Sequence, residues 1–259
     1  LRADNVGAIA PAVFSLLYFW PVVLFRQWPY IVTTPTTEEG AAMAAKVIAV
    51  LNQKGGTSKT TTATNVASCL AVKHGKRVLL VDLDQQGSAT DWAASRPEAE
   101  GDAGLIPTVS MGKALARDLP RVAGGYDYVV VDGVPQISEL TAAAIRAADA
   151  VLIPVQPSQY DIWACGDLVQ LVKDRQEIAD GKPVAAMMIA RAIPGTVLER
   201  DVRGILEAYD LPILSSQTCQ RQSYASGIEK GRSVMDLPDD NKARLEIEAL
   251  TAELLELTQ

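Results

Sequence analysis

The chain has 259 residues, 48% hydrophobic and 21% charged, so it can bury the core of one sizeable domain. Its formal net charge of −7 excludes a generally basic nucleic-acid coat, and any DNA contact must come from a local patch. Cys69, Cys165 and Cys219 are scattered and form no C-x-x-C pair, as in a reduced, cytoplasmic protein, while His74 sits in a polar Lys73-His74-Gly75-Lys76 turn and reads as a surface residue.

Residues 1–42 differ from the remainder. They hold all three phenylalanines, Phe14, Phe19 and Phe25, and Val6–Phe25 is an uncharged run of twenty residues, about a bilayer's length. Pro11 and Pro21 interrupt it, and no A-x-A cleavage pattern follows. The first methionine is Met43. Composition favours translation from Met43, with residues 1–42 as upstream sequence; an apolar anchor is the alternative. The expected organisation is a non-domain extension, 1–42, and one domain, 43–259.

From Lys46 onward, short β-branched runs alternate with helical stretches. Strands are predicted at Val47–Leu51, Arg77–Val81, Tyr128–Val131, Val151–Val155 and Val184–Ile189. Helices are predicted at Thr60–Lys73, Glu139–Ala147, Tyr160–Asp180, Val197–Tyr209 and Lys242–Leu257, with Ala93–Gly104 a loop after a short helix. Strands that are apolar throughout and separated by helices specify a doubly wound α/β domain. Its sheet is mostly parallel, with helices on both faces and ligands at the carboxyl ends of the strands.

Between the first strand and first helix lies Asn52-Gln53-Lys54-Gly55-Gly56-Thr57-Ser58-Lys59-Thr60-Thr61. A strand, a glycine-rich turn and a helix N-terminus make a phosphate cradle, because backbone N–H groups and the helix dipole point at an anion. Lys59 is placed to reach the β/γ-phosphates and the Thr60 hydroxyl to ligate Mg²⁺. The ordinary P-loop has glycine where this chain has Gln53 and Ser58, and it lacks the second lysine, Lys54. K-G-G-x-x-K-[ST]-[ST] resembles the deviant Walker A box of the ParA/MinD group of ATPases. Ser58 stands where that group usually has glycine, at a close backbone approach to phosphate.

Further boxes follow in the same order. Asp82-Leu83-Asp84-Gln85-Gln86-Gly87 resembles the ParA switch box D-x-D-P-Q-G, with Gln85 in place of proline; Asp82 could equally cap the next helix, with Ser88 as its N-cap. Asp132, closing an apolar strand before Gly133-Val134-Pro135, has the form of a Walker B aspartate. Pro154-Val155-Gln156-Pro157-Ser158-Gln159-Tyr160-Asp161 resembles a family stretch that leads into a helix near the dimer interface. Ala190-Arg191 stands where relatives commonly carry Asn-Arg near the nucleotide base.

The resemblance implies a short ParA-type partition ATPase, without an N-terminal helix-turn-helix, that uses ATP and Mg²⁺. It implies nucleotide binding by Lys54, Gly55, Gly56, Thr57, Ser58, Lys59, Thr60, Thr61 and Arg191, and metal binding through Thr60, Asp84 and Asp132. Lys54, Lys59 and Asp84 are the implied catalytic residues, Lys54 acting across an ATP-bound homodimer. The implied cycle runs from non-specific DNA binding by that dimer to release on hydrolysis stimulated by a ParB-type centromere-binding protein, in the cytoplasm on the nucleoid. Arg221, Lys230 and Arg232 are the candidate DNA cations, against a solvated face of mixed charge.

Alternatives are a relative that positions a protein cargo, a MinD-like membrane-cycling ATPase and a catalytically weak nucleotide-binding adaptor. A membrane role for 43–259 is disfavoured, because the last helix carries Glu246, Glu248, Glu253 and Glu256 where anionic lipid needs basic residues. An iron–sulfur reductase would need a cysteine soon after Asp132, and there is none.

Overall fold

In the computed structural model, residues 44–97 and 105–259 are described. The expectations for residues 1–42 and for the loop over 98–104 lie outside them. Seven strands form among the described residues: β1 (Lys46–Val50), β2 (Val78–Asp82), β3 (Thr108–Ser110), β4 (Tyr128–Asp132), β5 (Ala150–Val155), β6 (Val184–Ala192) and β7 (Ile213–Cys219). They build one sheet in the order β3-β2-β4-β1-β5-β6-β7, every pairing parallel.

Helices cover both faces. They are α1 (Lys59–Val72), α2 (Ser88–Ala94), α3 (Leu115–Val122), α4 (Glu139–Ala147), α5 (Gln159–Ala164), α6 (Gly166–Ile178), α7 (Val197–Leu206) and α8 (Lys242–Leu257). Because side chains alternate across a strand, β1 sends Val47, Ala49 and Leu51 into one core layer and Ile48 and Val50 into the other. The first layer is closed by α3, α4, α5, α6 and α7, the second by α1, α2 and α8. Both faces being buried explains why the strands read as unbroken apolar runs.

Helix α1 lies almost wholly inside, so its hydroxyls must find partners within it. Thr64 Oγ1 donates to Thr60 O at 2.9 Å and Ser68 Oγ to Thr64 O at 2.8 Å.

Four sequence expectations are corrected. Strands β3 and β7 were not expected: β3 has only three residues, and Ser215, Ser216 and Gln217 break the apolar pattern of β7. The helix α3, which holds Pro120, was not expected either. The single helix expected over Tyr160–Asp180 divides at Cys165. There the Tyr209 hydroxyl and the Cys165 thiol both donate to Ile162 O, at 2.7 and 2.8 Å, competing for a carbonyl that a continuous helix needs. Finally, the cap of α2 is Gly87, with φ 69°, and Ser88 is its first helical residue.

Candidate nucleotide site

The chain leaves β1 in the middle of the sheet, where β4 flanks it on one side and β5 on the other. The crevice at such a switch point opens beyond the carboxyl ends of the strands. Asn52 ties the turn to β5: its Nδ2 donates to Pro154 O at 2.8 Å, and its Oδ1 accepts from Lys54 N at 2.9 Å. Thr57 Oγ1 closes the turn on Lys54 O at 3.1 Å, and Gln156 Nε2 donates to Gly56 O.

Gly56 has φ 77° and Ser58 has φ 71°. Glycine accepts that region freely, but Ser58 carries its Cβ there at a cost of about 1–2 kcal/mol. Helix α1 then starts with no side-chain cap, so its first-turn amides face the crevice as anion donors.

Lys59 is buried, and its Nζ donates to Lys54 O at 2.9 Å. Burial lowers its pKa, while the carboxylates of Asp132 and Asp84 oppose that shift. Thr60 Oγ1 lies 2.6 Å from Asp132 Oδ2. Burial raises the Asp132 pKa to about 7; the Thr60 hydrogen bond lowers it, and Asp82 adds like charge. Asp82 and Asp132 are register partners on β2 and β4. Asp82 accepts from Thr90 N and Oγ1 at 2.9 and 3.0 Å, so it anchors α2, as its capping alternative anticipated. Asp84 lines the crevice, and its Oδ1 holds Gln86 N at 3.0 Å.

A hydrated Mg²⁺ beside a triphosphate fits this corner. Thr60 offers a hydroxyl, and Asp132 Oδ1 is buried without a hydrogen-bond partner. No group of three or more acidic, Cys or His ligands is gathered among the described residues. Mg²⁺ does not need one, because phosphate oxygens and water supply most of its shell.

The crevice is a cleft of about 790 Å³. Gly55, Gly56, Ser58, Lys59, Thr60 and Thr61 line the phosphate end, and Thr57 is buried behind them. The opposite wall comes from the ends of β6 and β7: Arg191, with φ 55°, then Thr218, Gln220, Arg221, Gln222 and Tyr224. Apart from Arg191 and Arg221, sequence reasoning missed this wall, since the polar β7 gave no strand signal. Gln156 was also missed, and its place before Pro157 at the end of β5 was the available cue.

Two candidates have unexpected settings. Lys54 does not line its own cleft; its Nζ pairs with Asp161 Oδ1 at 2.8 Å. Arg221, one of the candidate DNA cations, pairs with Glu246 of α8 at 2.6 Å and belongs to the cleft wall. Lys230 and Arg232 are exposed on a 3-10 turn and the residues just after it, packed on α2. There Trp92 Nε1 donates to Arg232 O at 3.0 Å.

The chain matches the family model described as "AAA domain" over residues 45–100 and 99–182. It is 30% identical over 198 residues to the maintenance of carboxysome distribution protein A of Halothiobacillus neapolitanus, covering 76% of this chain and 90% of that protein. It is 34% identical over 165 residues to the sporulation initiation inhibitor protein Soj of Bacillus subtilis, covering 49% and 65%. Among solved structures, an ATP complex of Cyanothece McdA superposes with a TM-score of 0.67 at 16% identity, covering 84% of this chain and 99% of that one. With the two-lysine cradle, the strand-end aspartates and the parallel sheet in place, the chain belongs to the ParA/MinD-type family of P-loop ATPases.

Proposed function

We propose that this ATPase is a nucleotide-gated switch in DNA partition. ATP·Mg²⁺ occupies the cleft, with the phosphates on the amides of 55–61 and Lys59, the ion at Thr60 and Asp132, and Asp84 placing the attacking water. The observation that carries the reading is the place of Lys54, which does not line its own cleft and pairs with the buried Asp161 while 42% of its side chain stays exposed. A cation so placed can be re-paired by a second copy's triphosphate. ATP then favours a sandwich dimer, the state that binds DNA, by differential stability of the two forms. Hydrolysis needs charge stabilisation and a placed water, and stays slow until a ParB-type protein perfects the geometry. Residues 43–259 form the ATPase domain of this reading.

Lys230 and Arg232 are the cations that support a DNA contact, because they ride on α2, which leaves the Asp84 switch box directly. Similarity to a carboxysome distribution protein favours a second reading, in which the cargo is a protein assembly. A lipid-cycling role has less support. The apolar stripe of α8, Ala243, Ile247, Leu250 and Leu254, is consumed by the core, and no helix among the described residues is long and apolar enough to cross a membrane.

The test is binding of the full chain to a fluorescent DNA duplex of arbitrary sequence, with ATP or ADP. ATP-dependent binding that weakens steeply with salt, and is lost in the Lys230→Ala/Arg232→Ala double variant while hydrolysis persists, supports partition. ATP-driven dimerisation without DNA binding at low salt favours the protein-cargo reading.

A further inference from the structure

One carboxylate organises the cleft wall that faces the phosphate cradle. Glu246, on α8, does not line the cleft, yet it gathers the residues that do. Its Oε2 accepts from Cys219 N at 3.0 Å and from the Tyr224 hydroxyl at 2.8 Å. Its Oε1 accepts from Arg221 Nε at 2.7 Å and pairs with the same guanidinium's second nitrogen at 2.6 Å. Cys219, Arg221 and Tyr224 all line the cleft, as does Ile247, the next residue of α8. The Glu246 side chain is only 14% exposed. Burial alone would raise its pKa; the bonds from Arg221, Cys219 and Tyr224 outweigh that and hold it below the usual range. An ionised carboxylate is acceptor-only, and it meets donors on both oxygens.

The phosphates must lie at the glycine-rich end, so the nucleoside extends toward this opposite wall. Arg191, Thr218 and Cys219 belong to β6 and β7, and the last tie to the sheet is Gln220 N, which donates to Ala192 O at 2.8 Å. Beyond Gln220 the chain leaves β7; Glu246 then holds Arg221 and the Tyr224 hydroxyl against α8, where that hydroxyl also lies 3.2 Å from Ala243 O and the ring packs on the core.

We propose that Glu246 is a positioning residue for nucleoside recognition, setting the base-end wall of the cleft through Arg221 and Tyr224 without touching the nucleotide. This rests on the cleft being the nucleotide site. ATP affinity of the wild-type chain, measured first, tests that premise on its own.

The test compares wild type, Glu246→Gln, Glu246→Ala and Tyr224→Phe in the full chain by calorimetric titration with ATP, GTP and inorganic tripolyphosphate. A loosened wall weakens ATP binding about tenfold in Glu246→Ala and narrows the ATP-to-GTP ratio, while tripolyphosphate, held only by the cradle, binds as in wild type. Glu246→Gln, which keeps the acceptor on one oxygen, recovers part of the loss. Equal weakening of ATP and tripolyphosphate, or a lowered melting temperature with all three affinities unchanged, overturns the proposal. If Glu246→Ala does not fold, Glu246→Gln and Tyr224→Phe decide: wild-type ATP affinity and ATP-to-GTP ratio in both would sink it.

Discussion

Lys54 Nζ lies 2.8 Å from Asp161 Oδ1, joining the phosphate turn after β1 to the first turn of α5. The partners are unequally placed: the Asp161 side chain is 8% exposed and that of Lys54 is 42%. Removing the lysine strands a buried carboxylate, whereas removing the acid leaves the ammonium with water. Lys54→Ala is therefore expected to cost about 1–2 kcal/mol, solvent screening having reduced the value of a fully buried pair. The double variant Lys54→Ala/Asp161→Asn should be more stable than Lys54→Ala alone. Urea denaturation of the three proteins measures both differences.

Ser58 holds a left-handed conformation, φ 71°, at the cap of α1. Glycine relieves about 1–2 kcal/mol of backbone strain there but regains freedom when unfolded. Ser58→Gly should raise stability by about 0.5 kcal/mol, visible as a higher denaturant midpoint at unchanged slope.

Gly231, φ +60°, packs its backbone on the end of α2. A Cβ there would lie 2.6 Å from Arg96 N and 2.7 Å from Trp92 O, both backbone atoms that cannot swing away. Gly231→Ala is expected to destabilise by about 2–4 kcal/mol, through left-handed strain plus overpacking. The melting temperature should fall by several degrees.

At the phosphate end, Lys59 is a buried cation beside Asp132 and Asp84. Lys59→Ala should lower kcat/KM for ATP by about 10²–10³-fold. On the proposed reading, in which Asp84 places the attacking water, Asp84→Ala should lower kcat by about 10²-fold and leave ATP affinity near wild type, because such a group acts in the transition state. Phosphate release under saturating ATP separates the two.

Asp127, before β4, accepts from Arg77 Nε and backbone N and pairs with its guanidinium at 2.8 Å. The side-chain bond from Arg77, then the backbone bond, brings its pKa from 3.8 to about 2. A carboxylate depressed on folding contributes stability above its unfolded pKa, and that contribution is lost as pH falls from 3.8 through about 2. Asp127→Asn should remove this part of the acid-side slope in stability measured across that window.

Much of the architecture was legible because the physics is local. Each of the five expected strands is a near-continuous run of Val, Ile, Leu, Ala or Met, and such runs fit only a sheet covered on both faces. The phosphate cradle was legible for a related reason: seven constrained positions in one short segment specify the turn, its amides and its cations. Strand β7 was hidden because Ser215, Ser216 and Gln217 sit at a partly exposed sheet edge, where no apolar run is required. The break at Cys165 was hidden because its cause, the Tyr209 hydroxyl, lies 47 residues from Ile162 in the chain.

The amino-acid order alone thus settled the strand–turn–helix cradle, the lysine ahead of the glycine pair and the strand-end acids, since each depends on near neighbours in the chain. Tertiary folding alone decided which carboxylate meets Lys54, that Arg221 serves the cleft wall, and that Glu246 organises that wall. Those pairings join residues 107, 25 and 22–27 positions apart, and only the packing of α5 and α8 against the sheet brings their charges within hydrogen-bond reach.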